Sequence, residues 1–476
     1  MKYLRVFMFT NNFKNHFLKT ILLAWPVCVS NLGHVMVGIV DTAMVGGIKE
    51  GVFGYSGTTA QAAVALANGF YFFVLVFGFG VSYGVTPLAA AADSSKNISE
   101  SQQLLKHCLI VNVLTNAILF LVLFAISPLM RFINQPADVV ELAIPFLNVM
   151  MFGMIPLAVF SSFKQFAEGL SFTRFAMFIT IGSNLLNVLF NYILIYGKFG
   201  FPAMGVMGAC WASFWARLIM ALSMFLYLYY GKQFKKYWMD FSLRNLSFAM
   251  MKKIFSIGAM SGLQWVFEIG AFAFALVMIG WIGKREQAAH QIALQLAAMT
   301  YLIASGISAA ASVRVGNQYG MSRKSEDPFF GRKNISELRE AAFSAFAMVI
   351  LSQVIFAVMF IVSRFALPVL FNDEPEVREI VSSLLLIAAL FQLSDGVQVV
   401  ALGVLRGIED TKIPTWITFI SYWLVGLPVS YVFAFVCGWG VQGIWYGLTI
   451  ALTLAAIFLF LRFNFVTRRM DSGLDL

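Results

Sequence analysis

Asp41, Glu268 and Asp395 each stand deep inside a long apolar run of the chain. A carboxylate at mid-bilayer costs roughly 2.5–3.5 kcal/mol on insertion scales, so such acids persist where an ion, a proton or a cationic substrate uses them. Glu268, in SGLQWVFEIGAFAF, and Asp395, in FQLSDGVQVVALGVLRG, are central to their runs. If both face inward they share one cation or proton, which makes the pair a candidate Na⁺ site. Two carboxylates fall short of the roughly six oxygens such ions take, so carbonyls, waters or hydroxyls must complete the shell. A lone, protonated and hydrogen-bonded structural acid is the alternative at each position. Asp41, in VGIVDTAMVGG, is either a carboxylate facing a cavity or a partly solvated acid near the outer end of its run.

Asn184, Asn187 and Asn191 fall in GSNLLNVLFNYIL at spacings that put them on one helical stripe. A polar stripe in lipid either joins helices or lines a wet cavity, and hydrogen bonds from these amides to Asp41 are one use of it. Arg217 lies about 20 Å of helix from the cytoplasmic end of its run, too deep for easy escape to headgroups; a structural ion pair is favoured over control of an anion or substrate. His34 is either a proton carrier or a packed histidine. His290 and Lys164 are expected at the interfaces. Among 49 Phe and 23 Met, a minority could wall an adaptable cavity, because aromatic faces attract organic cations and Met tolerates varied shapes.

The elements that position these residues are helices. The 476 residues are 60% hydrophobic and only 12% charged, with a mean hydropathy of +0.81. Apolar runs long enough to cross about 30 Å of hydrocarbon recur along the length. Twelve helices are expected, over 19–46, 58–89, 104–130, 137–163, 175–197, 205–230, 254–282, 287–316, 338–367, 378–405, 414–436 and 441–465. The net charge of +10 does not form one patch, so it signals topology and not a nucleic acid. With the N-terminus inside, about 25 of the 33 Lys and Arg fall on the cytoplasmic side, which places both termini there. Cys28, Cys108, Cys210 and Cys437 are scattered without a CxxC pair and read as packing residues. The basic start MKYLRVFMFTNNFKNHFLK reads as a retained lead-in, not a signal peptide.

The halves resemble each other. GVMGACWA recurs as GVQGIWYG, FINQPADVVE as LFNDEPEVRE, EGLSFTRFA as RGIEDTKIP, and LLAWP…MVGG aligns with SIGAM…MIGW, pairing His34 with Glu268. Six helices per half make this a parallel repeat, and transporters built on such repeats hold substrate near mid-depth between the halves. The expected organisation is a lead-in over 1–18, an N-lobe over 19–230, a linker over 231–253, a C-lobe over 254–465 and a tail over 466–476.

At these motifs the chain resembles the multidrug and toxic compound extrusion (MATE) family. VDTAMVGG, FEIG, AAHQIALQ with SVRVGNQYG, and FQLSDGVQVVALGVLRG are similar to its NorM-like branch. The likeness extends over nearly the whole chain. It implies an all-α polytopic membrane protein, with two six-helix lobes around a central cleft and alternating access. It also implies export of amphipathic, often cationic, drugs in exchange for Na⁺ or H⁺, with no enzymatic activity and no bound cofactor. Carried over by motif, Glu268 and Asp395 are the C-lobe coupling site, and Asp41 with Asn187 and Asn191 the N-lobe counterpart. Phe391, a candidate wall of the substrate or ion cavity with Asn184, His34 and Arg217, stands one turn before Asp395 where NorM-like sequences often have Tyr, so that position offers no hydroxyl to a cation. A monomer in a bacterial inner membrane is expected, partnered by lipid, small organic cations and a monovalent cation.

Three other functions fit the residues less well. A flippase for lipid-linked saccharides shares the two-lobe plan, but its cleft should be rich in Arg and Lys, and only Arg217 stands clearly within an apolar run. An intramembrane enzyme would need a nucleophile–base pair or a metal cluster; Walker and HExxH motifs do not occur. A receptor gives no reason for acids in both halves.

Overall fold

The computed structural model describes residues 11–48, 53–132, 135–239, 246–324 and 328–472. Among them there is no strand, and twelve helices are long and apolar enough to cross a membrane. The first six are α1 (Lys14–Gly46), α2 (Gly57–Ser94), α3 (Ile98–Phe132), α4 (Ala137–Gly169), α5 (Arg174–Tyr196) and α6 (Val206–Tyr230). The rest are α7 (Phe248–Ile282), α8 (Lys284–Arg323), α9 (Lys333–Ser363), α10 (Pro375–Gly407), α11 (Lys412–Val436) and α12 (Gly440–Asp471).

Local chemistry sets several ends. Ser56 Oγ accepts the Thr59 amide at the start of α2, and Asn97 Oδ1 accepts the Glu100 amide at the start of α3, both at 3.1 Å. Each satisfies one amide that the helix leaves without a carbonyl. Gly197 closes α5 with φ +66°, a left-handed conformation that costs a side-chain-bearing residue energy.

The helices overrun their expected ends. α8 continues to Arg323 and α12 to Asp471, α7 begins at Phe248, and the stretch expected as a loop over 317–337 is helical on both sides of the undescribed 325–327. Hydropathy marks where apolar character stops, whereas Arg, Lys, Gln and Glu extend a helix well beyond it. The 231–253 linker is correspondingly shortened, and its residues 240–245 lie outside the described set, as do lead-in residues 1–10, residues 49–52 and 133–134, and tail residues 473–476.

By contact the chain divides into two compact units, and not at the 231–253 linker. The N-unit is Val29–Ala89 with Asn97–Gly262; the C-unit is Met1–Cys28, Ala90–Lys96 and Leu263–Leu476. The division in α1 comes just after Pro26, a residue that removes one backbone hydrogen bond from its helix.

Within the N-unit α2 and α7 cross on glycines. A Cβ at Gly84 would lie 2.7 Å from the Gly258 Cα, and one at Gly262 would lie 2.8 Å from the Phe77 carbonyl oxygen. Small residues four apart let membrane helices approach to backbone contact.

The C-unit has two apolar clusters along its length. One holds Ala271–Ala297 positions with Phe391, Tyr422 and Trp445; the other holds Ala304–Val315 positions with Val399–Ile408 and Leu459. Between them runs a polar layer: Gln353 of α9, Gln392, Ser394, Asp395 and Gln398 of α10, and Thr453 of α12, the last bonded to Ser394 at 2.8 Å.

Candidate functional site

In the N-unit, Asp41 is buried among polar partners. Asn191 Nδ2 donates to its Oδ1 at 2.5 Å and the Ser213 hydroxyl to its Oδ2 at 2.8 Å. Asn187 Nδ2 donates to Ser213 Oγ at 3.1 Å, and Asn187 Oδ1 accepts from Asn191 at 3.3 Å. Asn191 Oδ1 is buried with no hydrogen-bond partner among the described residues. The result is a carboxylate held by three side chains from α5 and α6, with one amide oxygen left over.

Asn184 is set apart from that cluster: its amide lies against α1 at Gly33, where a Cβ would come within 2.7 Å of Asn184 Nδ2. His34, half-buried, meets the edge of Phe160 at 6.3 Å between centroids. Arg217 does not form the expected ion pair among the described residues. Its guanidinium donates to the Tyr71 hydroxyl at 2.6 Å and lies over the Tyr71 ring, fitted against the bare backbone of Gly153. Asp41 is within its electrostatic reach; a cation–π contact and a phenol replace the carboxylate partner.

In the C-unit, Glu268 and Asp395 are 6% and 4% exposed. They are near enough to feel each other's charge, and both act electrostatically on the Tyr422 hydroxyl. Neither carboxyl has a hydrogen-bond partner among the described residues. Tyr422 is delivered by a wide π turn over Ile420–Gly426, which rotates the side chains after it by about one residue relative to an α-helix; its hydroxyl donates to Gln398 Oε1 at 3.0 Å. Trp423 Nε1 donates to the carbonyl of Phe267 at 3.0 Å, fixing α11 beside Glu268.

Glutamines bracket the acid pair. Gln264 is one turn before Glu268, Gln392 and Gln398 each lie three residues from Asp395, and Gln353 packs on Gly396. Buried oxygens of Gln264, Gln353 and Gln392 have no hydrogen-bond partner among the described residues. Two carboxylates and unpartnered amide oxygens make a donor set of the oxygen type that hard monovalent cations prefer. No group of three His, Cys, Asp or Glu suited to a tightly held metal occurs among the described residues.

Several expectations are corrected. Phe391 is packed in the apolar cluster, its ring 5.9 Å from Phe272 and 5.4 Å from Trp445. His290 is fully buried, and its Nδ1 accepts from Trp445 Nε1 at 3.1 Å. Lys164, expected at an interface, is 4% exposed; Lys106, Arg314 and Arg406 are also buried, so Arg217 is not alone in being a cation inside the fold. Cys437 is exposed and unpaired, not a packing residue. Sequence reasoning missed Ser213, Tyr422 and the glutamines. The signal available was spacing: Ser213 is one turn from Arg217, and three glutamines fall within one turn of an acid.

A family model described as MatE matches residues 26–193, 261–326 and 328–432. The chain belongs to the MATE family. Among its MATE relatives is a "Probable multidrug resistance protein NorM" of Xylella fastidiosa, 30% identical over 455 residues, covering 96% of this chain and 93% of that protein. A "Multidrug resistance protein MdtK" of Yersinia pseudotuberculosis is 31% identical over 452 residues, covering 94% and 95%. The MATE fold is shared with the crystal structure of the eukaryotic MATE transporter AtDTX14, at 20% identity and TM-score 0.82 over 97% of this chain and all of that one. A MATE crystallised in a bent conformation gives 19% identity and TM-score 0.84 over 98% and 99%. Twelve apolar helices in a MATE chain make this a multi-pass membrane protein.

Proposed function

We propose that the chain exports amphipathic, often cationic, organic compounds by antiport with a monovalent cation, Na⁺ foremost and H⁺ as the alternative. Export proceeds by alternating access of the two halves. The observation that carries the reading is the Glu268–Asp395 pair: two buried carboxyls without hydrogen-bond partners, bracketed by unpartnered amide oxygens. The names of the NorM and MdtK relatives support the drug substrate. Asp41, with Asn187, Asn191 and Ser213, is the second exchange carboxylate.

The chemistry is competition for negative charge. A Na⁺ or H⁺ arriving at Glu268 and Asp395 neutralises the pair and weakens its attraction for a cationic drug, which then leaves outward. Drug binding in turn favours the ion-free state, and each ligand shifts the balance only by its differential affinity for the two states. One positive charge moving inward supplies about 2.3 kcal/mol per 100 mV, or roughly fiftyfold accumulation. The transporter works as a monomer in a bacterial inner membrane, both termini in the cytoplasm, the side favoured by the Lys and Arg distribution.

The test is dye efflux from proteoliposomes driven first by a Na⁺ gradient at fixed pH and then by a pH gradient without Na⁺. Glu268→Gln and Asp395→Asn are each expected to cut gradient-driven efflux at least tenfold while leaving dye binding measurable. Undiminished efflux in both variants would remove the coupling role.

A further inference from the structure

Lys164 and Glu168 lie on one face of α4, one turn apart, and both are almost wholly enclosed, at 4% and 2% exposure. Their nearest charged atoms are 3.8 Å apart, within ion-pair range but too far for a hydrogen bond. Glu168 Oε1 is buried with no hydrogen-bond partner among the described residues. As structural glue this is a poor arrangement, because a buried ion pair repays its desolvation only with close geometry and every remaining site filled.

The pair is also connected. Lys164 Nζ donates to Ser30 Oγ of α1 at 3.2 Å, and the Ser30 hydroxyl donates to Thr180 Oγ1 of α5 at 3.2 Å. From there a polar seam follows α1 and α5. Asn184 lies against Gly33, His34 is one turn beyond Ser30 and within electrostatic reach of Lys164 and Arg217, and the seam ends at Asn187, Asn191 and Asp41. Thr180, Asn184, Asn187 and Asn191 continue one stripe of α5. All of these residues belong to the N-unit.

We propose that Lys164 and Glu168 form a second proton-exchange site of the N-unit, linked by this seam to Asp41. The inference rests on reading Asp41 as an exchange carboxylate. A proton leaving the Asp41 carboxyl is handed on along the seam by bridging water, imidazole and hydroxyl groups that each accept one proton and give one up. It ends on the Glu168 carboxylate, restoring the Asp41 charge and neutralising Glu168. Lys164 remains an ammonium throughout, and its charge drives the Glu168 proton onward to water where α4 ends. Successive members are about one turn, roughly 5–6 Å, apart, a gap that one bridging water closes.

The test is proton release and uptake in weakly buffered proteoliposomes, with ethidium as the cationic probe, for wild type, Glu168→Gln and the double variant Lys164→Met/Glu168→Gln. A merely structural pair is restored when both partners become neutral, since the cost lies in the unpaired charge. The exchange site predicts that the double variant folds and binds ethidium like wild type, yet exchanges protons, and exports ethidium on a pH gradient, at least tenfold more slowly. Recovery of proton exchange in the double variant overturns the proposal. So does a wild type that drives ethidium with Na⁺ and moves no protons, a result that leaves antiport standing; a wild type driven by neither gradient is instead the failure of antiport itself. Should the double variant not insert, Glu168→Gln with ethidium binding intact decides between the same outcomes.

Discussion

Ser213 joins α6 to the Asp41 carboxylate and at the same time accepts the Asn187 amide, so one hydroxyl orders two partners. Hydrogen bonds between membrane helices are worth about 0.6 kcal/mol on average and up to about 1.7 kcal/mol. Ser213→Ala should therefore lower the detergent melting temperature by only a few degrees. Its effect on gradient-driven efflux should be larger, about two- to tenfold, because the carboxylate loses a fixed donor and can reorient. Equal melting and equal efflux would mean that Ser213 does not hold Asp41. The acids and the asparagine stripe were legible because charge and amides inside apolar runs are costly and have few uses. Ser213 and Tyr422 were not, since single hydroxyls are ordinary in such runs and their partners are remote in sequence; Asp41 and Ser213 are 172 residues apart. Lys164 and Glu168 were hidden differently. The place of Lys164 near the end of a hydropathic run suggests an interface, while burial depends on which helices close over that end.

At the scale of elements, the number and order of helices followed from hydropathy, and their ends did not. α8 and α12 run on through charged residues because the backbone ladder does not need an apolar environment to continue. The π turns of α11, at Ile420–Gly426 and Val432–Val436 on either side of Pro428, leave no mark in periodicity, yet the first of them carries Tyr422, whose hydroxyl meets Gln398. The glycine crossing of α2 on α7 gives the sharpest test. A Cβ at Gly84 would lie 2.7 Å from the Gly258 backbone, whereas a Cβ at Gly69 meets nothing within 4 Å. Overpacking costs about 1–3 kcal/mol and more where backbones must separate. Gly84→Leu is expected to reduce the folded, monodisperse protein recovered from membranes by at least tenfold, and Gly69→Leu to leave it unchanged. Similar recovery of the two variants by size-exclusion chromatography would refute the close crossing.

For the whole molecule, the internal repeat and the contact units divide the chain differently. The repeat splits it into two runs of six helices, whereas the C-unit takes Met1–Cys28 from the first run and the N-unit takes α7 up to Gly262 from the second. The first division is read from recurring motifs; the second reflects packing, which no short motif encodes. The borrowed segment of α1 makes specific contacts inside the C-unit. Buried Arg314 donates to the His16 carbonyl and, at 2.9 Å, to Thr20 Oγ1, and the Thr20 hydroxyl lies 3.4 Å from Ser344 Oγ. A fragment of residues 246–476 expressed alone would leave that guanidinium buried without those acceptors, at a cost of about 3–5 kcal/mol. It should be degraded within a pulse-chase, and fragment 1–239, which lacks the α7 glycines facing Gly80 and Gly84, should be degraded with it. Co-expressed, the two should protect one another and co-purify through a tag on either. Equal lifetimes for the C-terminal fragment with and without its partner would show that α1 is dispensable to the C-unit, and that the repeat, not the contact division, marks what folds as a body.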